Sequence, residues 1–225
     1  HRRLAMKSLS ATELAGCLDA AFWKPAATAK EFAAFCAGAR GQKFRAVCVN
    51  GSRVALAAAG LEDSPVQVVA LIGFPLGTSD GDVKRYEAEV AVDFGAQEIE
   101  LVLNLGDLKN GNHKAVMREL CDVIEAVEER PVCVVLETRA LTRAEIANAC
   151  ALISDSGAKS VATGTDFWPD TRVSVDDVKA LREALGPKFI VKAAGNLRDA
   201  QLGLALIAAG ATRLGSTHPG ELCKG

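Results

Sequence analysis

The chain has 225 residues, with 26 Lys plus Arg against 28 Asp plus Glu, a formal net charge of −2, and 49% hydrophobic residues. That length suits one packed domain over 1–225, the size an α/β barrel needs (about 200 to 250 residues). A near-neutral charge with scattered basic residues excludes the electrostatic footprint of nucleic-acid binding or of attachment to an anionic membrane, so a small-molecule partner is expected.

The seven cysteines (positions 17, 36, 48, 121, 133, 150 and 223) form no C-x-x-C pair, and His1, His113 and His218 are too far apart for a metal-ligand spacing. Buried, reduced thiols, no metal, no cofactor and a cytoplasmic location are therefore expected. No apolar run has the length of a membrane span, and no signal-peptide core follows the basic start His1-Arg2-Arg3.

Residues 1–15 read as an N-terminal extension with a capping helix. Beyond them, short apolar runs rich in Val, Ile, Leu and Ala alternate with amphipathic stretches about every 25 to 30 residues, the size of one βα unit. Strands are predicted at 17–22, 44–50, 66–73, 98–104, 132–138, 160–165, 189–195 and 213–217. Helices are predicted at 30–39, 52–59, 81–94, 112–129, 142–155, 174–185 and 198–209. Two of them start on capping pairs, Thr142 with Glu145 and Ser174 with Asp177. Strands that are apolar on both faces imply a parallel sheet covered by helices, and eight of them imply closure into a single (β/α)8 TIM barrel. The alternative, an open doubly wound sheet, is weakened because no G-x-G-x-x-G follows the first strand. Only 218–225 follow the eighth strand, so the last helix is expected to be short or missing.

Barrel enzymes build their sites at the carboxyl ends of the strands, which makes polar residues inside apolar strands informative. These are Asp19, Asn50, Glu100, Asn104, Glu137 and Lys192. Alternation puts Glu100 with Val102 and Asn104 on one face, and Lys192 with Ile190 and Ala194 on one face, so an ammonium and carboxylates are expected to share the interior. A lysine in such a strand is costly to bury alone, which points to catalysis or to a structural ion pair. Asp19, Glu100 and Lys192 are the catalytic candidates. Asn50 and Asn104 are candidate substrate contacts, although loop capping would explain them as well. Cys48 reads as core packing. Gly195, Ser216 and Thr217, after the seventh strand and at the end of the eighth, could form an anion nest, or the glycines could simply make tight turns.

Several segments carry a resemblance. They are Leu18-Asp19, Lys24-Pro25, Ala46-Val47-Cys48-Val49-Asn50, Ile72-Gly73-Phe74-Pro75-Leu76-Gly77, Glu98-Ile99-Glu100-Leu101-Val102-Leu103-Asn104, Leu136-Glu137-Thr138, Val191-Lys192-Ala193-Ala194-Gly195 and Ala208-Ala209-Gly210-Ala211-Thr212-Arg213-Leu214-Gly215. In order and spacing they resemble the deoxyribose-phosphate aldolase family over roughly 17–217. The resemblance implies a class I aldolase and, as the common state, a homodimer. In such enzymes a lysine on the sixth strand forms a Schiff base, a second lysine on the seventh strand depresses its pKa, and an aspartate on the fourth strand assists proton transfer. The second lysine maps to Lys192 and the aspartate to Glu100.

The nucleophile's position falls on Ala162, which has no amine. Lys159, three residues earlier, has the opposite side-chain parity. The family's lysine is followed by T-S-T-G-F; here Thr163 and Thr165 keep the threonines and are counted as substrate contacts, while Asp166 replaces the glycine of a phosphate-binding turn. Asn196 replaces a second glycine, Thr217-His218 stand where two serines are usual, and the first-strand motif reads Asp19-Ala20-Ala21-Phe22-Trp23. An acidic residue would repel a phosphate. The expected function is therefore an aldolase-like carbon–carbon lyase on a small, non-phosphorylated carbonyl compound. Two alternatives stay open: an acid/base dehydratase, cyclase or isomerase, and a non-catalytic binding protein.

Overall fold

A computed structural model describes residues 9–168 and 172–223. Eight parallel strands close into one barrel in chain order: β1 (Leu18–Phe22), β2 (Ala46–Asn50), β3 (Gln67–Ile72), β4 (Glu98–Val102), β5 (Val132–Val135), β6 (Ser160–Ala162), β7 (Ile190–Ala194) and β8 (Arg213–Ser216). The TIM barrel expected from the alternating pattern is the fold of the chain. Around it run α1 (Ala11–Ala15), α2 (Ala29–Gln42), α3 (Gly51–Gly60), α4 (Gly81–Asp93), α5 (Leu105–Lys109), α6 (His113–Ala126), α7 (Arg143–Ser156), α8 (Val175–Leu185), α9 (Ala200–Ala208) and α10 (Pro219–Leu222). The anticipated caps are present: the hydroxyls of Thr142 and Ser174 accept from the amides of Glu145 and Asp177, whose carboxylates reach back. The last helix is short, with four residues. Of the expected N-terminal segment 1–15, residues 1–8 lie outside the described residues, and Leu9 and the N-cap Ser10 lead into α1.

Several expected strands ended too late. Residues 103–104, 136–138, 163–165 and 195 lie past the ends of β4 to β7, because an apolar run says nothing about where the backbone turns. The amides of Leu103, Leu136 and Thr163 still donate to Val135 O, Ala162 O and Lys192 O. Asn104 caps the unforeseen α5, Glu137 (φ +46°) opens a 3-10 turn at Thr138–Ala140, and Gly195 sits at φ +136°. The cysteine reading also needs correction. All seven thiols are unpaired, but Cys121 is exposed, since apolar sequence neighbours on α6 do not share its buried face, and Cys17 and Cys223, in the turns after α1 and α10, are half-buried.

The main core lies between barrel and helices and includes the fully buried Leu18, Ile72, Ile99, Leu101, Leu120 and Leu181. Inside the bore are two small apolar clusters, Ala46, Cys48, Val69 and Leu71 on one side and Val102, Cys133, Val135 and Ala162 on the other. Phe74 packs on both. The segment Ile72-Gly73-Phe74-Pro75-Leu76-Gly77 is the turn that hangs Phe74 there. Gly77 (φ +69°) donates its N–H to Gly73 O at 2.8 Å, and a Cβ on Gly77 would lie 2.3 Å from Leu103 O. Beneath the turn Lys84, fully buried, donates to Glu119 Oε2 at 2.7 Å and to Val102 O at 3.0 Å. Among the described residues, no helix is long and apolar enough to cross a membrane.

Candidate active site

Parity brings Lys192 into the bore, where it is 3% exposed. Its Nζ donates to Glu100 Oε1, lies 3.1 Å from Asp19 Oδ2 and 3.4 Å from Cys48 Sγ. The stem of Lys192 crosses β8 at Gly215, where an added Cβ would fall 2.6 Å from Lys192 Cε. Gly215 thus makes room for the lysine from within the strand.

Below this centre the charges continue to the amino ends of the strands. Asp19 binds Arg45 through both oxygens, with Nη2 to Oδ2 at 2.7 Å. Arg45 Nη1 reaches Glu98 Oε2 at 3.1 Å, and Glu98 Oε1 accepts from Arg213 Nη1 at 2.6 Å. Three cations (Lys192, Arg45, Arg213) and three carboxylates (Asp19, Glu98, Glu100) form one connected ladder whose charges cancel. Burial works against the charge of Lys192, but Asp19 and then Glu100 outweigh it and hold the ammonium well above its ordinary range. Burial likewise opposes ionisation of Asp19, and Lys192 followed by Arg45 overcome it, keeping the carboxyl below the usual carboxylate range. Burial and the neighbouring Glu100 push the Cys48 thiol up, so it stands as S–H and donates to Glu100 Oε1 at 3.6 Å.

Among the described residues, Asp19, Cys48 and Glu100 are the cluster whose donor atoms, all within 4.8 Å of one another, could hold a metal. The Lys192 ammonium touches all three, so a cation already occupies their centre.

Above the ladder the bore turns apolar. Ala162 is fully buried and pairs with Lys192 across β6 and β7, against Val102, Cys133, Val135 and Phe74. Lys159 is exposed and precedes β6. Trp23, Phe74 and Phe167 close the mouth with ring centroids 5.4 to 5.8 Å apart, and Trp168 stacks edge-on against Phe167 at 5.2 Å. The buried Nε1 of Trp23 has no hydrogen-bond partner among the described residues.

The other candidates are mostly tied to backbone. Thr163 Oγ1 donates to Ala194 O at 2.6 Å and accepts from Ala194 N at 2.9 Å, stitching β6 to β7. The N–H and hydroxyl of Thr165 both go to Glu137, whose pKa burial raises against those bonds. Ser216 Oγ donates to Leu197 O at 2.6 Å. Asn104 Oδ1 caps α5 through Asp107 N at 3.2 Å, and Asn50 stands at the start of α3 without a side-chain cap bond. Gly195 O accepts from Val173 N at 2.9 Å. Thr217 donates its N–H and hydroxyl to Asp166. Missing from the residue-level reading were Arg45, Glu98 and Arg213. Glu98 shares parity with Glu100, a usable signal, whereas the arginines flank strands where solvent exposure is the ordinary expectation.

No family model matches the chain. It is 42% identical over 202 residues, 89% of this chain and 91% of the relative, to a deoxyribose-phosphate aldolase of Natranaerobius thermophilus. Among solved structures, "QR15, an Aldolase" superposes with a TM-score of 0.89 at 31% identity, covering 94% of this chain and 95% of that one. A putative deoxyribose-phosphate aldolase from Coccidioides immitis gives a TM-score of 0.89 at 30% identity, covering 96% and 86%. With barrel, motifs and near full-length identity in agreement, the chain belongs to the deoxyribose-phosphate aldolase family.

Proposed function

We propose that the protein is an aldolase-type carbon–carbon lyase for a small, non-phosphorylated carbonyl compound, working through acid/base chemistry instead of an imine at β6. The observation that carries this reading is the Lys192 ammonium held between Glu100 and Asp19 under the apolar mouth. A protonated lysine is a poor nucleophile and a good hydrogen-bond donor. In the cleavage direction a carboxylate takes the β-hydroxyl proton as the Cα–Cβ bond breaks, releasing an aldehyde. The ammonium turns the N–H now directed at Cys48 Sγ to the carbonyl oxygen and stabilises the enolate. Protonation of that enolate at the α-carbon completes the reaction, and the reverse of this last step is α-proton exchange. Glu100, with only Oε1 engaged among the described contacts, is the base in this scheme; Asp19, held by Lys192 and Arg45, is the orienting carboxylate. A substrate enters by parting the rings of Trp23, Phe74 and Phe167. The reading includes a homodimer, checked by light scattering at twice the chain mass. A reducing, cytoplasmic setting fits the seven unpaired thiols.

The test is deuterium exchange at the α-carbon of small aldehydes and ketones, followed by NMR, beside borohydride trapping and mass spectrometry. Exchange without a trapped adduct, lost in Lys192→Met, is expected; trapping is expected only in Ala162→Lys. An adduct at Lys192 in the unaltered protein would replace this scheme with a relocated imine. Absence of both exchange and adduct would leave a binding protein, a reading favoured by the complete mutual neutralisation of the ladder.

A further inference from the structure

The loops after β6, β7 and β8 converge on Asp166. Its Oδ1 accepts from the backbone N–H of Asn196, and its Oδ2 accepts from the N–H of Thr217 at 3.0 Å and from the Thr217 hydroxyl at 2.9 Å. Because that hydroxyl has one proton to give, His218 Nδ1, 3.0 Å from Thr217 Oγ1, is the donor in their contact. Two backbone amides and a hydroxyl converging on one anion make a nest, and loops after strands seven and eight are where barrels hold phosphate. Here the anion belongs to the chain itself. Both Asp166 (φ +62°) and Asn196 (φ +43°) adopt the left-handed backbone, which is uncommon away from glycine. Such conformations persist where surrounding contacts over-determine them, and the three bonds to the carboxylate do so.

We propose that Asp166 is a built-in occupant of this anion nest and sets the specificity of the barrel mouth. Its carboxylate satisfies the donors that would otherwise receive a phosphate and places a negative charge where a phosphomonoester would bring another. The mouth therefore takes carbonyl compounds whose far end is uncharged. The nest follows from geometry alone; the consequence for substrate choice rests on the carbonyl chemistry proposed above.

Inorganic phosphate is the probe. Amide resonances of Asn196 and Thr217 are followed in the unaltered protein, in Asp166→Gly, which removes the carboxylate and relieves the backbone, and in Asp166→Asn, which keeps the side-chain shape without its charge. Phosphate leaves both resonances unmoved in the unaltered protein, shifts them saturably in Asp166→Gly with binding at least about tenfold tighter, and gives intermediate binding in Asp166→Asn. Equal shifts in the unaltered protein and Asp166→Gly, or no shift in any of the three, would overturn the assignment. The readout needs no turnover. Failure of the carbonyl reading would thus appear as absent α-proton exchange with the phosphate result intact, and failure of the nest as the reverse.

Discussion

The lower and upper halves of the bore are built on opposite principles. In the lower half six charged side chains neutralise one another through bonds of ordinary or short length, and Gly215 is kept small so that one of them fits. In the upper half, alanine, valine and aromatic rings meet, the buried N–H of Trp23 is unpartnered among the described residues, and the Asp166 carboxylate is spent on the chain's own amides. The lower half is complete without a ligand. The upper half is where a ligand would find room, above the Lys192 ammonium and Glu100 that cap the ladder.

The largest effect should come from cutting the ladder. Asp19→Asn leaves Lys192 and Arg45 facing each other with one carboxylate fewer, and removing one partner of a buried pair costs roughly 3 to 5 kcal/mol. Urea denaturation measures it; a cost below about 1 kcal/mol would show that the lower half is solvated and the contrast false. Next is Gly215→Ala. The new Cβ meets the lysine stem and Ala194 Cβ, at 2.6 and 2.8 Å, and overpacking of this kind costs about 1 to 3 kcal/mol. A double-mutant cycle with Lys192→Ala, which removes the clashing Cε and carries its own separately measured cost, should give a favourable coupling energy if the clash is the cause.

The pH dependence follows from two opposite shifts. Asp19 has a depressed pKa in the fold, so its stabilisation is full above its unfolded value near ~3.9 and disappears as pH falls through the folded value. Lys192 has a raised pKa, so its stabilisation is full below its unfolded value of ~10.4 and is lost as pH rises through the folded one. Stability is expected to be flat between these limits on their account, with a gentler acid limb in Asp19→Asn. A basic limb unchanged by Lys192→Met would break that account. The smallest effect sharpens the contrast most: Trp23→Phe removes an unsatisfied buried donor, so stability should change by no more than about 1 kcal/mol. A rise in KM at unchanged kcat would then mark that indole as a ligand contact in the upper half, which a purely packing role would not produce.

The lower half was partly legible in the residues. Period-2 alternation sufficed to put Lys192 and Glu100 in one cavity, because a strand offers only two faces. Arg45 and Arg213 escaped because each sits at the foot of its strand, where flexible cationic side chains ordinarily turn to solvent. The structure bends both onto Glu98. In the upper half, residue type signalled that Asp166 suits a phosphate badly, but that its carboxylate is satisfied depends on loops 30 and 51 residues away. Thr163, Thr165 and Ser216 looked like a hydroxyl-lined site, and their partners are backbone or Glu137 because strand ends in a closed barrel must satisfy their own amides first.

A set of six charges in mutual contact also behaves as a lock on sequence change. Losing any one strands its neighbours, so a neutral drift of single substitutions has no downhill path through the ladder, and only a swap that conserves charge passes freely. Glu100, at a position where the family resemblance implies an aspartate, keeps the same charge there. Ala162 and Asp166, each altering charge against the family's pattern, lie above the ladder, among apolar rings and loop amides that impose no such accounting. Single substitutions that change charge are therefore tolerated more readily above the ladder than within it.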